Sequence, residues 1–299
     1  MQRVRLERDC SVFRAVGAIG DAWSWMVLRE VLFEGVTRFD EFQSRLGIAR
    51  STLAARLDQL VVSQVLDRHG GHYLPTERGD DFIGCLLTAM HWGDQWCGKT
   101  KLPPVQVTHL DCGRQMHAQL ACAQCGKPVL ARDVAFDRTP EPMRRPDGLL
   151  RRNRMPGLDL LERNRPCSIA RTLQVIGDLW SALIIQECFF GTHRFDDFQR
   201  RLSISSNILS HRLFRLAELG VLARSATAGA RHTYELTAKG LDLYPVPLAM
   251  LMWGDRWLAD DDPPIMLDHK VCGHRLRAVV SCSHCGVPIA RADLDVTRT

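Results

Sequence analysis

Between Ala22 and Gly35 the apolar residues Trp23, Val27, Leu28, Val31 and Leu32 recur at helical spacing, and Asp21 stands where a carboxylate caps a first turn. Gly35 ends that helix. A short amphipathic segment follows, with Phe39, Phe42 and Leu46 on one side, Thr37 to Asp40 at the spacing of a capping box, and Gly47 at its end. The next helix starts near Ala49 and turns Leu53, Leu57 and Leu60 inward, which leaves Arg50, Ser51, Thr52 and Arg56 on its outer, N-terminal part. Two short extended runs then flank Gly70-Gly71 and predict a hairpin. A long helix follows, interrupted at Gly84, whose apolar stripe ends in Trp92 and Trp96; such tryptophans suit a core or a dimer interface better than a ligand pocket.

The same pattern occurs twice. CSVFRAVGAIGDAWS from Cys10 and CSIARTLQVIGDLWS from Cys167 agree at eight of fifteen positions, RFDEFQSRL returns as RFDDFQRRL, and HWGDQW returns as MWGDRW. In the second copy the hairpin is five residues longer, and Pro245 and Pro247 interrupt the last helix, which carries Trp253 and Trp257. A Cys/His tail also repeats, HLDCGRQMHAQLACAQCG as HKVCGHRLRAVVSCSHCG. The expected fold is mainly α with small β wings: a winged helix-turn-helix over 1–100, a small Cys/His zinc-ribbon-like element over 105–135, a linker over 136–164, a second winged helix-turn-helix over 165–260 and a second Cys/His element over 265–296. The linker holds RRPDGLLRRNR, which suits a solvated connection or a DNA-contacting arm.

The ordered set C-x-[VI]-x6-I-G-D-x-W, RFD[ED]FQxRL, a Leu-rich helix, Y-x-L-T-x-x-G and W-G-D-x-W resembles the HxlR-type winged helix-turn-helix transcriptional regulators, over Cys10 to Gly98 and Cys167 to Asp260. Copy one departs from the pattern in having Pro75 before Thr76, and Ala49 where copy two keeps Ser205. The resemblance implies sequence-specific binding of double-stranded DNA, a cytoplasmic location and pairing through the terminal helices. A homodimer with four winged helices is the expected partner state, and an intrachain pseudo-dimer is the alternative. In copy one Arg50, Ser51, Thr52 and Arg56 would enter the major groove; in copy two the equivalent outer residues are Ser205, Ser206, Asn207, His211 and Arg212. The sets differ, so the two half-sites need not match. Arg68, His72, Arg224, Arg231 and His232 lie on the wings, suited to backbone or minor groove or else simply solvated.

Eleven cysteines are many for a reducing compartment, but six of them repeat one spacing. His109, Cys112, Cys122 and Cys125 in one tail, and His269, Cys272, Cys282 and Cys285 in the other, supply four ligands each for a tetrahedral structural zinc, two ions per chain. His117, His274 and His284 lie nearby, yet only His109 and His269 occupy matching positions. A redox pair of thiols is the competing reading. Cys10 and Cys167 precede the first helix of each module, where some regulators of the resembling type hold a redox-sensing thiol and where a helix N-terminus lowers a thiol pKa; a buried junction residue is the plainer reading.

Composition adds limits. Of 299 residues, 45% are apolar and 24% charged, which suits a folded chain, and the net charge of +5 permits a nucleic-acid partner without requiring one. No apolar run is long enough for a bilayer span and no membrane partner is expected. No nucleotide loop, nucleophile elbow or His-Glu-x-x-His marks an enzyme. The expected function is a non-catalytic transcriptional regulator, read as a repressor although the sequence does not reveal whether binding represses or activates, with an unidentified small effector or redox input. A winged-helix adaptor for proteins, with DNA binding lost, is the alternative.

Overall fold

Residues 11–98, 103–136, 155–227, 231–259, 263 and 265–298 are described by the computed structural model. In module one, α1 (Ser11–Ile19) leads into α2 (Ala22–Glu34), capped by the Asp21 carboxylate, which accepts from the Trp23 amide at 3.1 Å. Gly35 takes φ 65°, a left-handed stop that favours glycine. Burial of α2 is wider than its expected stripe: Trp25 and Met26 are buried while Trp23 is only half covered. The cause is tertiary, since α2 lies between α4 (Arg50–Val62), α6 (Ile83–Cys97) and a helix of the other copy.

Helix α3 (Phe39–Leu46) lacks the expected capping box. Its N-cap is Arg38, without a side-chain cap, and the Thr37 hydroxyl lies 2.9 Å from His72 Nδ1 instead. Arg38 bridges His72 across to the wing, so this stretch is held extended as a third edge of the hairpin β1 (Leu66–His69) and β2 (His72–Pro75). After α5 (Glu77–Asp81), α6 runs unbroken: Gly84 sits in its first turn, where it admits Val280 of the second tail rather than interrupting the helix.

Tail one contains β3 (Val105–His109), β4 (Arg114–Met116), β5 (Ala118–Cys122) and β6 (Val134–Phe136). The expected linker contains the short α7 (Leu158–Leu161), after which Asn164 donates to the Ser44 and Arg45 carbonyls at the end of α3. The Arg-rich stretch at 144–154 and Cys10 lie outside the described residues. Module two repeats the first as α8 (Ser168–Ile176), α9 (Leu179–Phe189), α10 (Phe195–Leu202), α11 (Ser206–Glu218), β7 (Leu222–Thr227), β8 (Arg231–Leu236), α12 (Ala238–Leu241) and α13 (Pro245–Leu258). Pro245 opens α13, where a missing amide costs nothing. Tail two holds β9 (Leu267–His269), β10 (His274–Arg275), β11 (Ala278–Cys282) and β12 (Leu294–Arg298).

The turn that Gly47 makes in module one, at φ 60°, is made in module two by Ser203 at φ 50°. A side chain in that region costs roughly 1 kcal/mol. Ser203→Gly should therefore raise stability by about 0.5–1 kcal/mol in denaturant titration, and an unchanged midpoint would mean that the turn carries no strain.

The copies interlock within the chain. Helix α1 packs on α13 and α6 packs on α8, so within one chain each copy's terminal helix covers the first helix of the other. The tryptophans serve this contact: Trp92 Nε1 donates to the Lys239 carbonyl and Trp253 Nε1 to that of Arg78, both at 3.0 Å. Trp257 and Trp96 donate to Asp81 and Asp242, at 2.7 and 3.2 Å.

At matching positions beside the crossings sit Asp94 and Asp255, both raised by burial, Asp255 to about 6. The native state then holds a proton that the unfolded chain releases near pH 4. Stability from Asp255 is present at low pH and declines as pH rises from about 4 to about 6. Asp255→Asn should flatten that part of a stability–pH curve; an unaltered slope would assign it to other groups.

Candidate nucleic-acid interface and metal centres

Leu53, Leu57 and Leu60 anchor α4, and Leu209, Leu213 and Leu216 anchor α11 in the same way. This burial leaves the N-terminal outer faces of both helices open. Arg50 is exposed, lies 4.8 Å from the Phe39 ring centre and pairs loosely with Asp40 at 3.6 Å. Beside it an open groove of about 760 Å³ runs between α4 and the wing, floored by Phe39 and Tyr73 and flanked by Arg50, Ser51 and Arg68. Arg68 is exposed, with its guanidinium 5.5 Å from the Tyr73 ring centre. Ser51 is also exposed, and Thr52 and His72 are half-buried. In copy two, Ser205, Ser206, Asn207 and His211 are exposed on α11, and Arg224 is exposed on β7. His232 is half-buried on β8, the strand that Arg231 begins.

Arg56 and Arg212 are placed differently from the outward residues. Arg56 makes a two-point ion pair with Asp21, at 2.9 and 2.6 Å, and is partly buried; Arg212 reaches Asp178 at 2.9 Å. Each brace ties the seventh residue of α4 or α11 to the N-cap aspartate of its module's central helix. The two-point Arg56–Asp21 pair fixes both partners, and the single Arg212–Asp178 contact holds α11 in the same way, so these guanidiniums brace α4 and α11 rather than extending freely outward. The sequence signal was available: both the aspartate and the arginine recur in both copies.

The tails cross over. Strand β5 pairs antiparallel with β11, β3 with β12 and β6 with β9, so every tail sheet contains strands of both copies. The expected ligand sets therefore do not form within a tail. Cys122 ends β5 and Cys112 lies before β4, and the two thiols fall into different ligand groups. The antiparallel register sets Cys122 beside Ala278, at the start of β11 downstream of the Cys272 turn, and Cys282 beside Ala118, at the start of β5 downstream of the Cys112 turn. Two groups result: His109, Cys112, Cys282 and Cys285; and Cys122, Cys125, His269 and Cys272. Each His-x2-Cys hook (His109 and Cys112, or His269 and Cys272) meets the Cys-x2-Cys knuckle of the other copy (Cys282 and Cys285, or Cys122 and Cys125).

Both groups could hold a metal ion, since their candidate ligand atoms all lie within 4.8 Å of one another. The spacing is informative. Tetrahedral zinc, with sulfur at about 2.3 Å and nitrogen at about 2.0–2.1 Å, requires S–S separations of about 3.8 Å and S–N of about 3.6 Å. Cys112 and Cys282 sulfurs are 4.0 Å apart, as are those of Cys122 and Cys272, too far for a disulfide. Cys285 lies 3.4 Å from His109 Nδ1, and Cys125 3.5 Å from His269 Nδ1. Both imidazoles are fully buried, and neither Nε2 has a hydrogen bond. Burial works to raise the Cys122 and Cys282 thiols, yet backbone amides of Cys125 and Gln124, and of Cys285 and His284, outweigh it and hold both below the usual range. That favours the thiolate form a metal needs at Cys122 and Cys282, while at Cys272 and Cys285 the backbone amides of His274 and Val287 are outweighed by burial and the neighbouring thiols, which push both up.

Cys167 is a buried N-cap residue of α8, its amide bonded to Glu162 at 2.8 Å and its thiol beside the buried Arg29 guanidinium. Among the described residues no single helix is long and apolar enough to cross a membrane.

Comparison with known proteins agrees with this architecture. The HxlR-like helix-turn-helix family model matches twice, over residues 18–101 and 175–262. The chain is 39% identical over 134 residues to MT3179 of Mycobacterium tuberculosis (strain CDC 1551 / Oshkosh), an uncharacterized HTH-type transcriptional regulator, covering 44% of this chain and 85% of that protein. It is 30% identical over 110 residues to YdeP of Bacillus subtilis (strain 168), likewise an uncharacterized HTH-type transcriptional regulator, covering 36% and 86%. The crystal structure of PA1607, a candidate transcription factor, is similar at a TM-score of 0.42 and 36% identity, covering 46% of this chain and 99% of that one.

Proposed function

Since the chain belongs to the HxlR-like helix-turn-helix family and is a non-enzymatic transcriptional regulator, we propose that it is a sequence-specific repressor that lays two recognition helices of a single chain into the major groove of double-stranded DNA. The observation that carries this reading is the interlock of α1 with α13 and α6 with α8, which gives one chain the paired modules that a duplex site demands. Arg50, Ser51 and Thr52 read one half-site, and Ser205, Ser206, Asn207 and His211 the other. The wings, through Arg68, His72, Arg224, Arg231 and His232, touch the backbone. Two structural zinc ions hold the tails, and the protein works in the cytoplasm. Further pairing into a homodimer would add two more winged helices.

Selection of genomic fragments with zinc-replete protein, followed by footprinting, tests the reading. One enriched site with two unlike protected segments is expected. Arg50→Ala should weaken binding about 10-fold or more and relax one half-site, whereas Asn207→Ala should affect the other; equal loss on random DNA would reduce Arg50 to a phosphate contact.

One observation favours an adaptor role for module two. Helix α11 exposes Ile208 and Phe214, at 39% and 59%, where α4 has Thr52 and Asp58. Protection of only the α4 half-site would support it. Redox input through Cys167 is narrowed by its burial to small oxidants such as peroxide; release of DNA by peroxide that survives in Cys167→Ser would end that reading, and the corresponding role of Cys10 is tested by Cys10→Ser.

A further inference from the structure

We infer that each metal ion is shared by both halves of the chain and that this sharing makes metal loading a control on the winged modules themselves. The inference rests on the zinc reading above. Its basis is the path that leads from the crossed ligands to the helix-turn-helix. Cys282 and Cys285 belong to tail two, yet the residues that follow them dock on module one. Arg291 donates to the Val31 and Leu32 carbonyls at the end of α2, at 3.2 and 3.1 Å, and pairs with Asp80 at 3.0 Å. Arg298 bonds Glu34 at 2.9 Å, and the same Glu34 holds Arg45 of α3, also at 2.9 Å. Tail one likewise reaches module two, with Phe136 4.8 Å from Phe190 at the end of α9.

Beneath the tails, Gly84 of α6 receives Val280 of β11, so the crossed strands rest on the same helices that join the modules. The crossed tails share the main core through buried Val107, Leu120, Leu267 and Leu276, and a bound metal would add the metal–ligand joint that fixes the ligand-bearing turns above it. Losing the ion removes the hook–knuckle joint between copies, frees β12 and the Arg291 segment, and leaves the α2 end and Glu34 without their external ties. The metal thus acts on α3 and α4 through contacts that the ligands themselves do not make. The chemical signal is a free transition-metal ion of the zinc class.

Zinc stoichiometry of two double variants of the full chain tests the sharing. Cys112→Ser with Cys285→Ser removes ligands of one shared site, so one zinc per chain should remain. Cys112→Ser with Cys122→Ser strikes both sites, so none should remain. The reverse pair of counts would overturn the crossing. Wild-type protein without zinc in any preparation would instead defeat the underlying metal reading.

Control of the modules is read on the wild-type chain, with and without a zinc chelator, by amide hydrogen exchange. Residues 22–34 and 50–62 should exchange at least 10-fold faster without metal and recover on zinc addition. Operator affinity should fall in parallel by about 10-fold. Faster exchange confined to the tails, with 22–34 and 50–62 unchanged, would overturn the control while leaving shared metal intact.

Discussion

Gly93→Val is expected to destabilise the chain by more than about 3 kcal/mol and to break the interlock of its halves. A Cβ at Gly93 would lie 2.1 Å from the Ser168 carbonyl oxygen and 2.8 Å from Thr172 Oγ1. Those atoms belong to the backbone and first turns of α8, so no flexible side chain can yield. Relief requires α6 and α8 to separate, which would break the 2.6 Å bond from Thr172 to the Ala89 carbonyl and displace Trp92 from the Lys239 carbonyl. The matching Gly254 meets the Ser11 carbonyl in the same way, at 2.4 Å. Gly191 supplies the control: its φ is 74° but nothing lies within 4 Å of an added Cβ, so Gly191→Ala should cost only about 1 kcal/mol. Denaturant unfolding of both variants measures the difference. Equal losses would show that the close helix crossing is not the constraint.

Replacing Glu30 by alanine should cost about 3–5 kcal/mol, because it leaves the buried Arg29 guanidinium without its carboxylate and leaves Arg45 and Arg165 with Glu34 alone. Glu30 is fully buried and takes Arg29, Arg165 and Arg45, the last at 2.6 Å. Arg29 is itself buried on α2, Arg45 comes from α3 and Arg165 from the segment after α7. One carboxylate therefore joins the helix-turn-helix to the connection between copies. Module two keeps the core of this arrangement as Glu187 with Arg201 at 2.5 Å. Glu30→Gln retains volume and one acceptor oxygen but neither the charge nor the second acceptor, and should fall between wild type and alanine. A loss below about 1 kcal/mol for the alanine variant would mean that the arginines find other anions or water.

The stability and DNA effects expected of these two sites are separable. Gly93 lies in the interlock, so its variant should weaken recognition of both half-sites together. Glu30 lies under α3 and α4, so a folded Glu30→Gln chain should lose affinity chiefly at the half-site of module one.

Periodicity made the modules legible. Leu53, Leu57 and Leu60 predict the inner face of the recognition helix, and Asp21, Gly35 and Gly47 predict helix ends, because local backbone chemistry decides caps and left-handed turns. The repeat exposed the duplication and hence two candidate interfaces. Less local features were misread. Thr37 is not a capping-box residue because the wing claims its hydroxyl, and Gly84 marks a packing contact rather than a break. Arg56 and Arg212 look outward on a helical wheel, yet aspartates at the caps of α2 and α9 hold them.

By itself, the sequence determined the duplication, the winged modules, the ligand types and the spacing of each hook and knuckle, all of which depend on residues near one another in the chain. Only the tertiary structure decided which hook faces which knuckle and which terminal helix meets which first helix. Both copies carry the same spacings, so local pattern is equally satisfied by closing each tail on itself or on its twin. The antiparallel pairing of β5 with β11 resolves the choice, because it brings the Cys122 knuckle beside the Cys272 hook and the Cys282 knuckle beside the Cys112 hook, while the knuckle and hook of one tail fall into different groups.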